Sequence, residues 1–112
     1  RMDKTPSSRI ITIASIDGLH PNINSFAYSI SKASIRTLIQ LYKKKYREKD
    51  INYDLISPGG MNTRMRGDKV ENKDCLIQPK EIADLCLFLA NLKGNCAFEE
   101  LVIYPRTFSY ST

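Results

Sequence analysis

Residues 9–32 read RIITIASIDGLHPNINSFAYSISK. The first seven form a short β-branched run without polar alternation, ending at Ser15. Such a run suits a strand buried on both faces of a parallel sheet. Residues 16–25 contain Gly18, Pro21, Asn22 and Asn24 and read as a loop. From Phe26 to about Lys49 the spacing turns helical, with Ser25 at the N-cap position. Tyr28, Lys32, Ile35, Ile39, Tyr42 and Tyr46 share one face. Ile30, Ser34, Leu38 and Leu41 make a second apolar stripe. Two stripes imply two packing partners, the sheet and a second surface such as another subunit.

Outward from this stretch, residues 1–8 are polar, carry Pro6 and read as a connector. Residues 51–57, INYDLIS, are a second strand, cut off by Pro58-Gly59-Gly60. Residues 61–76 are rich in Arg, Lys and Asn without a clear period, which predicts a loop or a short helix pair. Pro79 opens another helix at its first turn. Ile82, Leu85, Cys86, Phe88 and Leu89 give it an apolar face, and Lys93-Gly94 closes it. Residues 100–104, ELVIY, are the last strand. Strands alternating with helices argue for right-handed crossovers and a parallel sheet. Three such strands make half of a doubly wound domain, and the first would show an unpaired edge.

At 112 residues the chain is one small domain at most. It has no apolar run long enough to span a membrane and opens on no signal-peptide pattern. Its three cysteines lack a paired spacing, which suits a reducing cytosol and predicts a cytoplasmic protein. The single histidine, His20, lies far from all three, so metal binding is not expected. The net charge of +5 gathers in Lys43, Lys44, Lys45, Arg47 and Lys49. These cations suit the end of a helix and a solvated face. An anion or nucleic-acid patch is the sharper alternative, but no stacking aromatic platform accompanies the run.

Tyr28 and Lys32, four residues apart on a helix, lie on one face within reach of each other. A phenol is a poor acid or base near neutrality, and a nearby ammonium favours its phenolate. With a Ser hydroxyl from a strand end, the pair can exchange a proton at a carbonyl or alcohol oxygen. Hydride transfer at the adjoining carbon then needs a nicotinamide. The Tyr–Lys spacing alone arises readily by chance in a chain with six Tyr. Its weight comes from the ordered set: a strand ending in Ser15, then Gly18, then Tyr28-x-x-x-Lys32, then a strand ending in Pro58-Gly59 with Thr63 beyond.

In this ordered set the sequence resembles the single-domain branch of the short-chain dehydrogenase/reductase family. The resemblance runs from about Arg9 to Leu89. Ser15 stands where the family has its catalytic serine, Tyr28 and Lys32 match its Tyr-x-x-x-Lys, and residues 57–63, SPGGMNT, match its proline-glycine-to-threonine turn. The fold implied is α/β, the C-terminal half of a Rossmann-like doubly wound parallel sheet, with residues 1–112 as a partial NAD(P)-binding domain. The function implied is hydride transfer between NAD or NADP and a small alcohol or carbonyl substrate. Tyr28 would be the acid/base. Lys32 would assist it and hold the nicotinamide ribose, and Ser15 would orient the substrate oxygen. Pro58, Gly59, Met61 and Thr63 would hold the nicotinamide end, while Ile16 and Phe26 would join Ser15 around the substrate. Residues 61–73 would be a variable lid. The helix over residues 26–49 would form a homo-oligomer interface.

The family's glycine-rich turn, cofactor-selecting residue, Asn-Ala-Gly stretch and helix Asn are not found in the chain and would lie upstream of Arg1. Without the phosphate-cradling turn, the chain alone is expected to bind a dinucleotide weakly and to be inactive. Asp54 stands where Asn is usual, and residues 103–106, IYPR, replace the closing glycine pair. His20 reads as a surface loop residue near the substrate, and Phe26 either walls the pocket or staples the helix start. Arg64 and Arg66 read as solvated. The competing reading is a truncated, non-catalytic product that acts, if at all, through association of its long helix.

Overall fold

A computed structural model of the chain describes residues 8–49, 51–61, 76–92 and 98–106. In chain order the elements are β1 (Ser8–Ile13), α1 (Ile16–Leu19), α2 (Phe26–Lys45), β2 (Ile51–Pro58), α3 (Pro79–Ala90) and β3 (Leu101–Ile103). The three strands form one parallel sheet in the order β1-β2-β3. β2 sits in the middle, and its last six residues are buried.

Alternation along the strands sets two faces. Tyr53 and Leu55 of β2, with Ala14 just past β1, meet Ile39 of α2, and Ile10, Ile35, Tyr46 and Ile51 pack around them. Ile11, Ile13, Asp54 and Ile56 point the other way, the side on which α3 lies with Ile82 and Leu89 buried. Helices therefore cover opposite faces of the sheet, as the α/β reading expects.

β1 is not buried on both faces. Ile13 is 46% exposed, and an apolar groove of about 620 Å³ runs between Ile11 and Ile13 of β1 and Ile82, Cys86 and Leu87 of α3. Among the described residues β1 pairs with β2 alone, so it is the edge strand the sequence implies. Two polar groups hold it from beneath. Arg9 Nη1 donates to both carboxylate oxygens of Asp54, at 3.0 and 2.8 Å, and both side chains are buried. Asp54, unusual for the resemblance, thus has a structural partner. A buried ion pair of this kind costs desolvation, and losing one partner costs more than replacing both.

Several boundaries differ from expectation. The stretch read as a loop begins with a helical turn, α1, because Ser15 caps it and Asp17 sits in its first turn. α2 stops at Lys45 rather than Lys49, with Tyr46 as its C-cap, and Ser25 makes no side-chain capping bond. α3 starts at Pro79 as expected, reinforced by a capping box between Gln78 and Glu81, but ends at Ala90 with Asn91 as its C-cap. Phe88 is exposed rather than part of a buried face. Residues 93–94, most of the expected lid, Arg64 and Arg66 lie outside the described residues.

Candidate active site at the carboxyl edge of the sheet

Ser15 and Pro58-Gly59-Gly60 come together because both β1 and β2 end on the same edge. Ala14 N–H donates to Ile56 O at 2.7 Å, continuing the ladder to the residue before Ser15. Ser15 is itself the N-cap of α1, buried to 7% exposure, and its Oγ accepts from Asp17 N–H at 3.2 Å. A hydroxyl that accepts one bond still carries a proton to donate, so capping and orienting a substrate oxygen are compatible.

α1 lies directly on α2. A Cβ built on Gly18 would stand 2.7 Å from the Lys32 carbonyl carbon, 2.8 Å from its oxygen and 2.9 Å from Ala33 N. No side chain fits there, so glycine lets the Ser15-capped turn rest on the turn of α2 that carries Lys32. The following loop is pinned too, as buried Ser29 accepts from Asn22 N–H at 3.0 Å. On α2, Lys32 Nζ lies 5.5 Å from the centroid of the Tyr28 ring, and both residues are half-buried. A cation over the phenol at that distance is an attractive arrangement.

The second wall is the turn after β2. Gly59 N–H donates to Ile103 O at 2.7 Å, and a Cβ on Gly59 would meet Pro105 Cδ at 3.2 Å and Ile103 O at 3.4 Å. Ile77 N–H donates to Gly60 O at 2.9 Å, and Met61 forms a parallel bridge with Ile77. So residues 58–61 are clamped between β3 and the segment leading into α3. Ligands of open α/β sheets bind outside the carboxyl ends of the strands, which is where Ser15 and the Pro58–Gly59–Gly60 turn lie. With Tyr28 and Lys32 their chemistry, two hydroxyls, an ammonium and a glycine-lined turn, fits the nicotinamide-ribose end of a dinucleotide. Among the described residues no second glycine-rich turn follows a strand, so they hold no cradle for its pyrophosphate.

Of the other expected residues, Ile16 opens α1 and is half-buried, whereas Phe26, the first residue of α2, is 70% exposed. His20 is exposed at the end of α1, where its N–H caps Ile16 O. Thr63 lies outside the described residues. Lys43 is not simply solvated, because its Nζ donates to Phe98 O and Glu99 O, each at 2.9 Å. No cluster of potential metal ligands occurs among the described residues. A polar network around Glu100 gave no sign in the sequence, because its members lie 43 and 64 residues apart.

Against known proteins, the family model for the short chain dehydrogenases matches residues 1–74. The chain belongs to the short-chain dehydrogenase family. An uncharacterized oxidoreductase of Staphylococcus saprophyticus is 29% identical over 99 residues, which is 88% of this chain and 42% of that protein. One from Staphylococcus aureus is 26% identical over 99 residues, 88% of this chain and 43% of its own length. The chain therefore spans less than half the length of these relatives. Solved short-chain dehydrogenase structures share the fold. The closed form of a serine dehydrogenase complexed with NADP+ superposes with a TM-score of 0.86 at 18% identity, over 99% of this chain and 49% of that one. A short chain dehydrogenase from Salmonella enterica serovar Typhi gives 0.77 at 22% identity, over 94% and 44%. The three-stranded parallel sheet with its flanking helices is part of a Rossmann-type dehydrogenase fold.

Proposed function

We propose that this chain supplies the acid/base half of an NAD(P)-dependent oxidoreductase acting on an alcohol/carbonyl pair. What supports the reading is that Ser15 and the Pro58–Gly59–Gly60 turn follow paired strand ends, that the turn Ser15 caps rests on the Lys32 backbone of α2, and that Lys32 Nζ stands 5.5 Å from the Tyr28 ring centroid. Family membership and relatives named as oxidoreductases support the reaction class. Fold neighbours complexed with NADP+ or NADPH support a nicotinamide cofactor.

The nicotinamide, when bound, supplies or accepts the hydride. Tyr28 moves the proton at the substrate oxygen, and Ser15 donates a hydrogen bond to that same oxygen and fixes its position. Lys32 holds the ribose and stands beside the Tyr28 ring. Pro58, Gly59 and Met61, with Thr63, hold the nicotinamide end, while Ile16 and Phe26 border the substrate.

The second apolar stripe of α2 supports self-association. Ile30 and Leu41 are 64% and 56% exposed and line a shallow groove with Ala33, Thr37 and Leu38. A homo-oligomer through α2 accounts for a helix with two apolar sides. No described helix is long and apolar enough to cross a membrane.

The test is turnover in the protein as its native source makes it. A panel of small alcohols with NAD+ and NADP+ should yield reduced cofactor, and Lys32→Ala should slow it by on the order of 10²-fold or more. No reduction of either cofactor above a mock preparation would overturn the reading.

A further inference from the structure

The face of α2 that carries Tyr28 and Lys32 continues one turn later to Arg36, and then to Lys43. Arg36 Nε donates to Glu100 Oε1 and Oε2 at 3.1 and 3.0 Å, and its Nη2 donates to Oε1 at 2.7 Å. Lys43 holds the two carbonyls before Glu100, those of Phe98 and Glu99. The same Glu100 carboxylate accepts from Ser57 Oγ at 2.6 Å. Ser57 is fully buried on the α2 side of β2 and directly precedes Pro58-Gly59. Bonds to an ionised carboxylate are short and strong, and a guanidinium fork adds direction.

β3 itself is slight. It pairs with β2 at three positions only: Leu101 with Ile56, Val102 with Ser57 and Ile103 with Pro58. Yet the turn after β2 leans on it, through Gly59 N–H to Ile103 O and through Pro105 against Gly59. Glu100 thus ties α2, the end of β2 and the start of β3 together.

We infer that Glu100 is a positioning residue that sets the Pro58–Gly59–Gly60 turn in register with the face of α2 bearing Tyr28 and Lys32. The inference rests on the proposed oxidoreductase reading for its consequence, since that turn and that helix face would hold one nicotinamide between them. Arg36 orients the carboxylate, and Ser57 conveys its position to the turn. The carboxylate is kept charged at neutral pH. Burial pushes it up, but the hydrogen bonds from Arg36 and Ser57, with the charges of Arg36 and Lys43, outweigh burial and hold it below its ordinary value.

Amide hydrogen exchange on the full chain, read residue by residue by NMR, tests this without any need for turnover. Tyr53 and Leu55 amides, in the same strand, report global opening. Glu100→Gln keeps the shape and removes the charge. It should speed exchange at Gly59 by about tenfold or more relative to Tyr53 and Leu55. Ser57→Ala, a single-atom deletion that spares the fold if Glu100→Gln does not, should do the same. The double variant should add little, because both changes break one linkage. A uniform rise at Gly59, Tyr53 and Leu55 would reduce Glu100 to a general stabiliser and overturn the inference. So would fully additive effects. Failure of the oxidoreductase reading would show in the turnover assay and leave the exchange result unchanged.

Discussion

At the scale of single residues, the candidate site depends on a missing side chain as much as on those present. Gly18 lets α1 approach the Lys32 carbonyl within 2.8 Å of where a Cβ would stand. The neighbouring atoms are backbone, which cannot swing aside as a side-chain tip can. Gly18→Ala should therefore push α1 off α2, costing about 1–3 kcal/mol, in the range for overpacking a tight contact. Urea denaturation would measure the loss, and a cost below a few tenths of a kcal/mol would show that the contact is looser than described. Ser15 belongs to the same local unit. Its position before Ile16, Asp17 and Gly18 follows the pattern of an N-capped first turn. The glycine and the nearby Pro21 pull the same segment toward a loop reading, so the short helix was hidden.

At the scale of elements, the order strand, helix, strand, helix, strand was readable from periodicity, from β-branched runs and from Pro79. The ends were not, because they rest on contacts distant in sequence. β1 reads as doubly buried since Ile10, Ile11 and Ile13 are all apolar, yet what covers a strand is decided by neighbours outside it. Likewise Lys43 reads as a member of a solvated helix end, and only the fold brings the Phe98 and Glu99 carbonyls against it. This network predicts a pH dependence. The folded-state value of Glu100 lies below its ordinary value of about 4.5. Its stabilisation is then fully present above that value and is lost as pH falls through the lower, folded value. At neutral pH Glu100→Gln should be less stable than wild type by about 1–3 kcal/mol, the usual worth of hydrogen bonds to a charged group. The gap should narrow as pH falls below the ordinary value of about 4.5 and through the lower, folded one. Urea midpoints at stepped pH would check it, and a gap independent of pH would contradict the assignment.

At the scale of the whole molecule, the chain spans less than half the length of the relatives it matches, and its parallel sheet with flanking helices has a Rossmann-type dehydrogenase fold. The family was legible because its signals are local and ordered: Ser15, then Tyr28-x-x-x-Lys32, then Pro58-Gly59. The Glu100 network was not legible, since it joins three elements far apart in the chain. Among the described residues, the groove beside β1 and the second stripe of α2 are apolar surfaces of the chain open to solvent. Its proposed chemistry converges on one atom, the Tyr28 hydroxyl, which would move the proton at the substrate oxygen. The most direct measurement is kcat of the Tyr28→Phe protein, prepared as the native source makes it, beside wild type, with circular dichroism confirming the fold. The account predicts a fall on the order of 10²–10⁴-fold, the range that general acid–base catalysis supplies. Turnover within a few-fold of wild type would show that Tyr28 is not the acid/base and would contradict the assignment at its centre.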